Sequence, residues 1–377
     1  MNQKKKIIRA TTIAASLETF CKDQLRELSN NYEVVALSSP GDILDFVGKR
    51  ENVRTIGVKM ERRISPINDL VSLFKLIKIM RKEKPWLVHS MTPKAGLLCM
   101  IAAWITRVPR RVHTFTGLIW PIRTGISRHI LMFTDKILCA CATHIIPEGE
   151  GVKRDIIAGK ITKKAMKVLA NGNVRGIELD HYTRSEEVLN EVSKIKKDGV
   201  FTYIFIGRIV KDKGIHELIE AFVKVHNERP STRLILVGCF EMQLDPISSE
   251  MQNIINTHKS IEAVGVKKDV RPWLVAADVL TFPSYREGFP NVVIEAGAMG
   301  LPSIVTDING ANEIIIPGQN GVIVPSHDAN ALYNAMLEMH DNDVMREQMA
   351  SKARKLIVQR FDCHIVRKAL YDFYNTL

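Results

Sequence analysis

Short runs of apolar, often β-branched residues recur along the chain, separated by longer stretches whose apolar positions repeat every three to four residues. Runs at 6–10, 33–38, 87–90, 111–114 and 144–146 read as strands, and stretches such as 68–83 carry apolar residues at helical spacing. Strands that alternate with amphipathic helices pair in parallel, because each helix serves as a crossover, and the helices then cover both faces of the sheet. A second series follows at 166–169, 202–206, 233–237, 261–264, 279–282, 303–305 and 322–324. Two parallel sheets in tandem are the simplest account, and 377 residues suffice for two domains at roughly 100–200 residues each.

The passage between the series, Ala170 to Gly199, is polar, glycine-rich and charge-rich, and includes "NGNVRGIELD". It places a hinge near 165–170, with an N-terminal domain over 1–167 and a second domain over 168–355. The tail from about 342 onward is helical by period and ends among Tyr371, Phe373 and Tyr374. Its last segment, 356–377, is expected as a helix that crosses back to the N-terminal domain.

Composition narrows the class. Hydrophobic residues make up 46% and charged residues 25%, as in ordinary globular proteins, which excludes disordered and fibrous chains. A net charge of +12 calls for an anionic partner: nucleic acid, an anionic lipid surface or phosphorylated small molecules. The start, Met-Asn-Gln-Lys-Lys-Lys, lacks the pattern of a signal peptide and reads as cytoplasmic. The longest apolar stretch, Ala95 to Ile105, is about half of the roughly 20 residues needed to span a bilayer, so membrane contact is expected to be peripheral, at the inner face of the cytoplasmic membrane. The six cysteines lack zinc-site spacing and no Asp-x-Asp is present to hold a cation against a diphosphate, so neither a metal nor another cofactor is expected.

Two motifs carry chemistry. In "YIFIGRIVKDKGIHELIEAF" a strand ends at Gly207 and a helix begins near Ile215, which sets Arg208 and Lys213 at the carboxyl edge of the sheet. Ligands of open α/β sheets bind at that edge. A guanidinium fork and a compact ammonium suit a diphosphate and the charge it gains on departure. In "FPSYREGFPNVVIEAGAMGLPSIVT" a loop leads into a helix, with Glu287 before it and Glu295 inside it. The backbone N–H groups of Gly288, Phe289, Pro290, Asn291 and Val292, proline excepted, together with the helix dipole, form an anion site. Glu295 is placed to accept from ribose hydroxyls and Glu287 from those of a sugar beyond the phosphates. Taken alone, each residue reads more readily as a solvated charge, or for the carboxylates as a helix-start charge; their joint occurrence at matching strand ends favours a site.

These motifs, with "NGV" at 320–322 and "GNVRGIEL", resemble glycosyltransferase family 4, retaining enzymes of the GT-B fold: α/β, with two Rossmann-like domains whose parallel sheets face a central cleft. The resemblance implies a UDP-sugar donor, with Arg208 and Lys213 at its phosphates, Glu295 at the ribose and Glu287 at the transferred sugar. It also implies that the loop 308–313, "INGANE", faces the donor.

The N-terminal half departs from the family pattern. "TTIAASLETF" at 11–20 stands where relatives carry a Gly-Gly loop, and Thr116-Gly117 stands where many have His-Gly, with His113 three residues earlier as the candidate catalytic histidine. "HSMTPKAGLL" and "VHTFTGLIWPIRTG" resemble a subgroup that builds bacterial surface polysaccharides or protein-linked glycans, including N-acetylgalactosaminyltransferases acting on undecaprenyl-diphosphate-linked sugars. That similarity implies a membrane-presented saccharide acceptor, with Lys94, Thr116 and Arg123 toward it. Arg107, Arg110, Arg111, Arg123, Arg128 and Lys136 among Trp104, Trp120, Ile130 and Phe133 suit an anionic membrane surface. The competing readings are a GT-B-shaped nucleotide-sugar epimerase or phosphorylase, and a nucleic-acid-binding protein, which only the charge favours and which no binding motif supports.

Overall fold

The computed structural model describes residues 4–61, 65–241 and 245–377; the first three residues of the basic start lie outside these. The chain divides into two compact units, one running to Gly176 and taking in His364–Leu377, the other spanning Ile177–Cys363.

The first unit is built on β1 (Lys6–Ala10), β2 (Glu33–Ser38), β3 (Arg54–Gly57), β4 (Leu87–Met91), β5 (Arg110–Phe115) and β6 (His144–Pro147), all parallel in the order β3-β2-β1-β4-β5-β6. Alternation along β1 sends Ile8 and Ala10 to one face and Ile7 to the other. Helices Pro66–Glu83, Pro93–Ile105 and Gly125–Cys141 cover the first face, and Ala14–Phe20, Gln24–Ser29 and Asp42–Glu51 the second. Helix Cys363–Asn375 also joins the second face through Leu370 and Tyr374.

That last helix is held by a buried polar chain. Arg9, on β1 and 2% exposed, donates to the Tyr374 hydroxyl at 2.9 Å. The same hydroxyl lies 2.6 Å from His89 Nδ1, and His89 Nε2 lies 2.7 Å from the Thr114 hydroxyl. A guanidinium away from water is costly unless hydrogen-bonded, so this chain ties the terminal helix to the sheet.

The second unit repeats the plan with β7 (Phe201–Ile206), β8 (Thr232–Val237), β9 (Ile261–Gly265), β10 (Val279–Phe282), β11 (Ser303–Thr306) and β12 (Gly321–Val324), parallel in the order β12-β11-β10-β7-β8-β9. Two expectations need correction. The run 166–169 is not a strand of this sheet; Met166 makes one isolated bridge to Ile145, so the segment stays with the first unit and the division falls after Gly176 rather than at 167. β3 has no counterpart in the sequence reading, because Arg54–Gly57 is a short edge strand with one large apolar residue and an exposed face.

Candidate active site

In the second unit β7 lies between β8 and β10, so the connections from β7 and β10 leave in opposite directions and open a crevice at the carboxyl edge. The loops bordering it are 207–214 and 283–290. They touch backbone to backbone because of Gly214: its φ is +69°, and a Cβ there would lie 2.0 Å from the Pro283 carbonyl oxygen. A third loop joins at Gly310, φ +76°, where a Cβ would sit 2.4 Å from the Gly288 carbonyl oxygen. Thr306 adds a hydroxyl bond to the Ser284 carbonyl. The segments 207–214, 283–290 and 308–313 thus form one rim, with Arg208, Lys213 and Glu287 on it.

The charges on the rim are paired. Lys213 Nζ meets Glu287 Oε1, and Ser284 Oγ donates to the same oxygen at 3.1 Å. Arg208 pairs with Glu241 at 2.6 Å, and Arg286 with Asp212 at 3.3 Å. Tyr285 stacks on His327 with ring centroids 3.6 Å apart and donates to Glu217 Oε2. Burial and that carboxylate push the phenol's pKa up, so Tyr285 stays a donor. The sequence alone does not single out Glu241, Ser284, Arg286, Asp212 or Tyr285, although Asp212 stands inside "YIFIGRIVKDKGIHELIEAF" and Ser284, Tyr285 and Arg286 inside "FPSYREGFPN". Their signal is adjacency to Lys213 or Glu287; Glu241 is remote in sequence from both and carries none.

Helix Asn291–Ala298 starts at Pro290 with no side-chain cap, which leaves its N-terminal end toward the rim. Glu295, one turn in, is half-buried, while Val293, Ile294 and Ala296 hold the helix in the core. Phe289 is 6% exposed and packs edge-on against Phe361 at 5.5 Å. It therefore anchors the loop, and only its backbone faces the rim.

The candidates of the first unit divide. Lys94, at the start of Pro93–Ile105, pairs with Asp69 at 2.7 Å and ties two helices together. Thr116 follows β5 and is half-buried, and Arg123 is exposed just after the turn Trp120–Ile122. His113 requires a correction. It is 1% exposed on β5, its Nδ1 lies 2.9 Å from Ser90 Oγ, and its ring meets Phe115 edge-on. The ring fits because residue 96 is glycine; a Cβ there would lie 2.4 Å from His113 Cε1. Burial pushes its pKa down to about 3. The enclosed imidazole packs the sheet against the helix that carries Gly96.

The sequence missed one constellation in this unit. Thr92 has φ +68° and is held there by Thr12, whose backbone N–H donates to Thr92 Oγ1 at 3.0 Å and whose hydroxyl lies 2.9 Å from the same atom. The Thr12 hydroxyl also accepts from the Ala95 backbone N–H at 3.1 Å. The hydroxyls of Thr12 and Thr92 thus close the β1/β4 edge.

Comparison with known proteins decides the family. Residues 200–342 match the model "Glycosyl transferases group 1" and residues 11–148 the model "Glycosyl transferase 4-like". The chain is 32% identical over 374 residues to the capsular polysaccharide biosynthesis glycosyltransferase CapM of Staphylococcus aureus, covering 98% of this chain and 97% of that protein. The chain belongs to the group 1, 4-like glycosyltransferases. This glycosyltransferase is also 28% identical, over 85% of its length and 83% of the relative's, to the UDP-Gal:α-D-GlcNAc-diphosphoundecaprenol α-1,3-galactosyltransferase of Escherichia coli. The crystal structure of Anabaena HepE in complex with UDP-glucose superposes with a TM-score of 0.81 at 19% identity, covering 99% of this chain and all of that one. That likeness gives this glycosyltransferase the GT-B fold, consistent with its two six-stranded parallel sheets.

Proposed function

We propose that this glycosyltransferase moves a sugar, with retention of anomeric configuration, from a UDP-sugar to a lipid-linked saccharide in bacterial polysaccharide assembly. The observation that carries the reading is the rim at the β7/β10 switch point, where a lysine, an arginine and an uncapped helix start converge with two carboxylates. The donor diphosphate takes Lys213 from Glu287, which then turns to the sugar hydroxyls, while Arg208 neutralises the far phosphate and Glu295 accepts from the ribose. In the transfer the bond from the anomeric carbon to the phosphate oxygen breaks. The acceptor oxygen bonds that carbon on the same face, and its proton passes to the departing phosphate. Lys213 and Arg208 stabilise the charge that develops there, so no metal ion is required. The names of the Staphylococcus and Escherichia relatives support polysaccharide assembly and a diphosphoundecaprenol-linked acceptor. The proposed transferred sugar is an N-acetylhexosamine such as GalNAc.

The test is transfer from UDP-GalNAc, UDP-GlcNAc, UDP-Gal and UDP-Glc to a diphosphoundecaprenol-linked acceptor in EDTA, with the product anomer read by NMR. An α-linked product from one donor, lost in Lys213→Met, is expected. A β-linked product would sink retention, and activity only with GDP-sugars would sink the donor assignment.

A further inference from the structure

One face of the first unit is built unlike the rest of its surface. Helices Pro66–Glu83, Pro93–Ile105 and Gly125–Cys141 lie side by side, with Leu76, Ile77, Met80, Leu98, Ala102 and Leu138 packed on the same side of the sheet. Side chains on their far sides therefore all point away from the sheet, in one direction. On Pro66–Glu83 those far positions are Ile67, Leu70, Val71 and Phe74, an i, i+3, i+4, i+7 stripe that is 80%, 54%, 49% and 59% exposed. A surface helix ordinarily turns such a stripe inward; this helix has a second apolar stripe in the core and shows this one to solvent.

The neighbouring helices continue the pattern. Trp104 and Ile105 end the middle helix, and Ile126, Ile130 and Phe133 line the third, at 79%, 47% and 63% exposure for those three. Every residue from 121 to 130 is exposed, so the start of the third helix projects from the body with nothing over it. Arg110, Arg111 and Trp120, which the sequence placed in this patch, are withdrawn from it. Arg110 donates to the Leu377 carbonyl, Arg111 to those of Cys141 and Val108, and Trp120 is 4% exposed.

The ionic groups between the apolar positions have one sign. Lys75, Lys78, Arg81, Lys82 and Lys136 are exposed on the first and third helices. The acids among them are engaged: Asp69 pairs with Lys94, Glu83 with Lys6 and Arg54, and burial pushes Asp135 up to about 7.

We infer that this three-helix face docks on an anionic lipid surface, with Ile67, Phe74, Ile126, Phe133 and Trp104 entering the headgroup boundary and the lysines and arginines meeting lipid phosphates. The inference rests on the proposed membrane-presented acceptor and names the surface that would reach it. Large apolar side chains interleaved with cations are the composition of interfacial helices. A second copy of the chain is the poorer occupant, since an isologous contact would set this cationic face against itself.

The test uses the full-length protein and flotation with vesicles of phosphatidylcholine alone or with phosphatidylglycerol at three parts in ten, at low and high salt. The wild type should float with the anionic vesicles, more weakly at high salt. The pair Ile126→Ser and Phe133→Ser should reduce the bound fraction about a hundredfold, on the order of tenfold per large apolar side chain removed from water. Val266→Ser, an exposed apolar position of the second unit, is the control and should bind as the wild type. Thermal stabilisation by UDP should be the same in all three proteins, which guards against misfolding. Equal flotation of the double variant would overturn the inference. So would a dimer in sedimentation velocity that the double variant loses while neither protein floats. Transfer to a short-chain, detergent-soluble acceptor separates the two claims: if it proceeds without vesicle binding, the docking surface fails and the proposed reaction stands.

Discussion

His113 provides a quantitative test of the packing in the first unit. Its imidazole is enclosed, hydrogen-bonded to Ser90 and pushed from the ordinary 6.5 to about 3 by burial. A histidine with a depressed native pKa binds its proton more readily unfolded, so its contribution is full above 6.5 and is lost as pH falls from there toward 3. At about 1.36 kcal/mol per unit, the loss between pH 8 and pH 5 is about 2 kcal/mol. The wild-type curve alone will not show this. Asp135 is pushed up to about 7 by burial and works in the opposite sense. Above the ordinary carboxylate value its unfolded form ionises while the native form keeps its proton, so stability falls as pH rises from about 4 to 7, by about 4 kcal/mol. The difference between wild type and His113→Gln removes that common term. The variant should be less stable at pH 8 by roughly 1–3 kcal/mol for the disturbed buried hydrogen bond. Its deficit should shrink by about 2 kcal/mol at pH 5. Urea unfolding followed by tryptophan fluorescence measures this, since Trp86, Trp104 and Trp120 report on the first unit and Trp273 on the second. A deficit that does not change with pH would refute the buried neutral imidazole. Below the melting range His113→Gln should also keep turnover within a few-fold of wild type; a loss of a hundredfold or more would return the residue to the chemistry.

Asp135→Asn removes a buried acid that is costly to ionise, so it should raise stability by about 4 kcal/mol at pH 8 and by little at pH 4; a gain that is the same at both pH values would contradict the raised pKa. Gly214→Ala should weaken UDP binding at least tenfold in calorimetry and lower the melting temperature, because a Cβ there meets the Pro283 carbonyl at 2.0 Å; unchanged binding would mean the two loops do not need their contact. Tyr374→Phe strips the buried Arg9 and His89 of a shared partner and should cost about 2–3 kcal/mol, with faster proteolytic release of the terminal helix; protease resistance equal to wild type would show that the helix is held by apolar packing alone.

The strands were legible where burial is two-sided. Runs such as "YIFI" and "LILV" have no polar alternation to mask them and fell within β7 and β8. β3 was not legible, because an edge strand of four residues with one large apolar side chain carries little periodic signal. Met166 to Leu169 misled for the opposite reason, an apolar pair in an extended segment that makes one bridge. On the rim, Arg208, Lys213 and Glu287 could be placed because their loops follow strands and precede helices. Their partners could not: Glu241 lies across the sheet in another connection, and the pairing Lys213–Glu287 spans 74 positions. The setting of His113 is not legible, because a histidine at a strand end reads alike in sequence whether it faces a ligand or packs on a glycine such as Gly96.

The most direct measurement of the central claim is calorimetric binding of UDP, UDP-GalNAc and GDP in EDTA to the wild type and to Glu295→Ala. The account predicts metal-independent binding of the uridine compounds, weakened at least tenfold in the variant by loss of the ribose contact, with GDP binding poorly. Binding that requires a divalent ion, or that Glu295→Ala leaves untouched, would contradict the placement of the donor at the β7/β10 crevice.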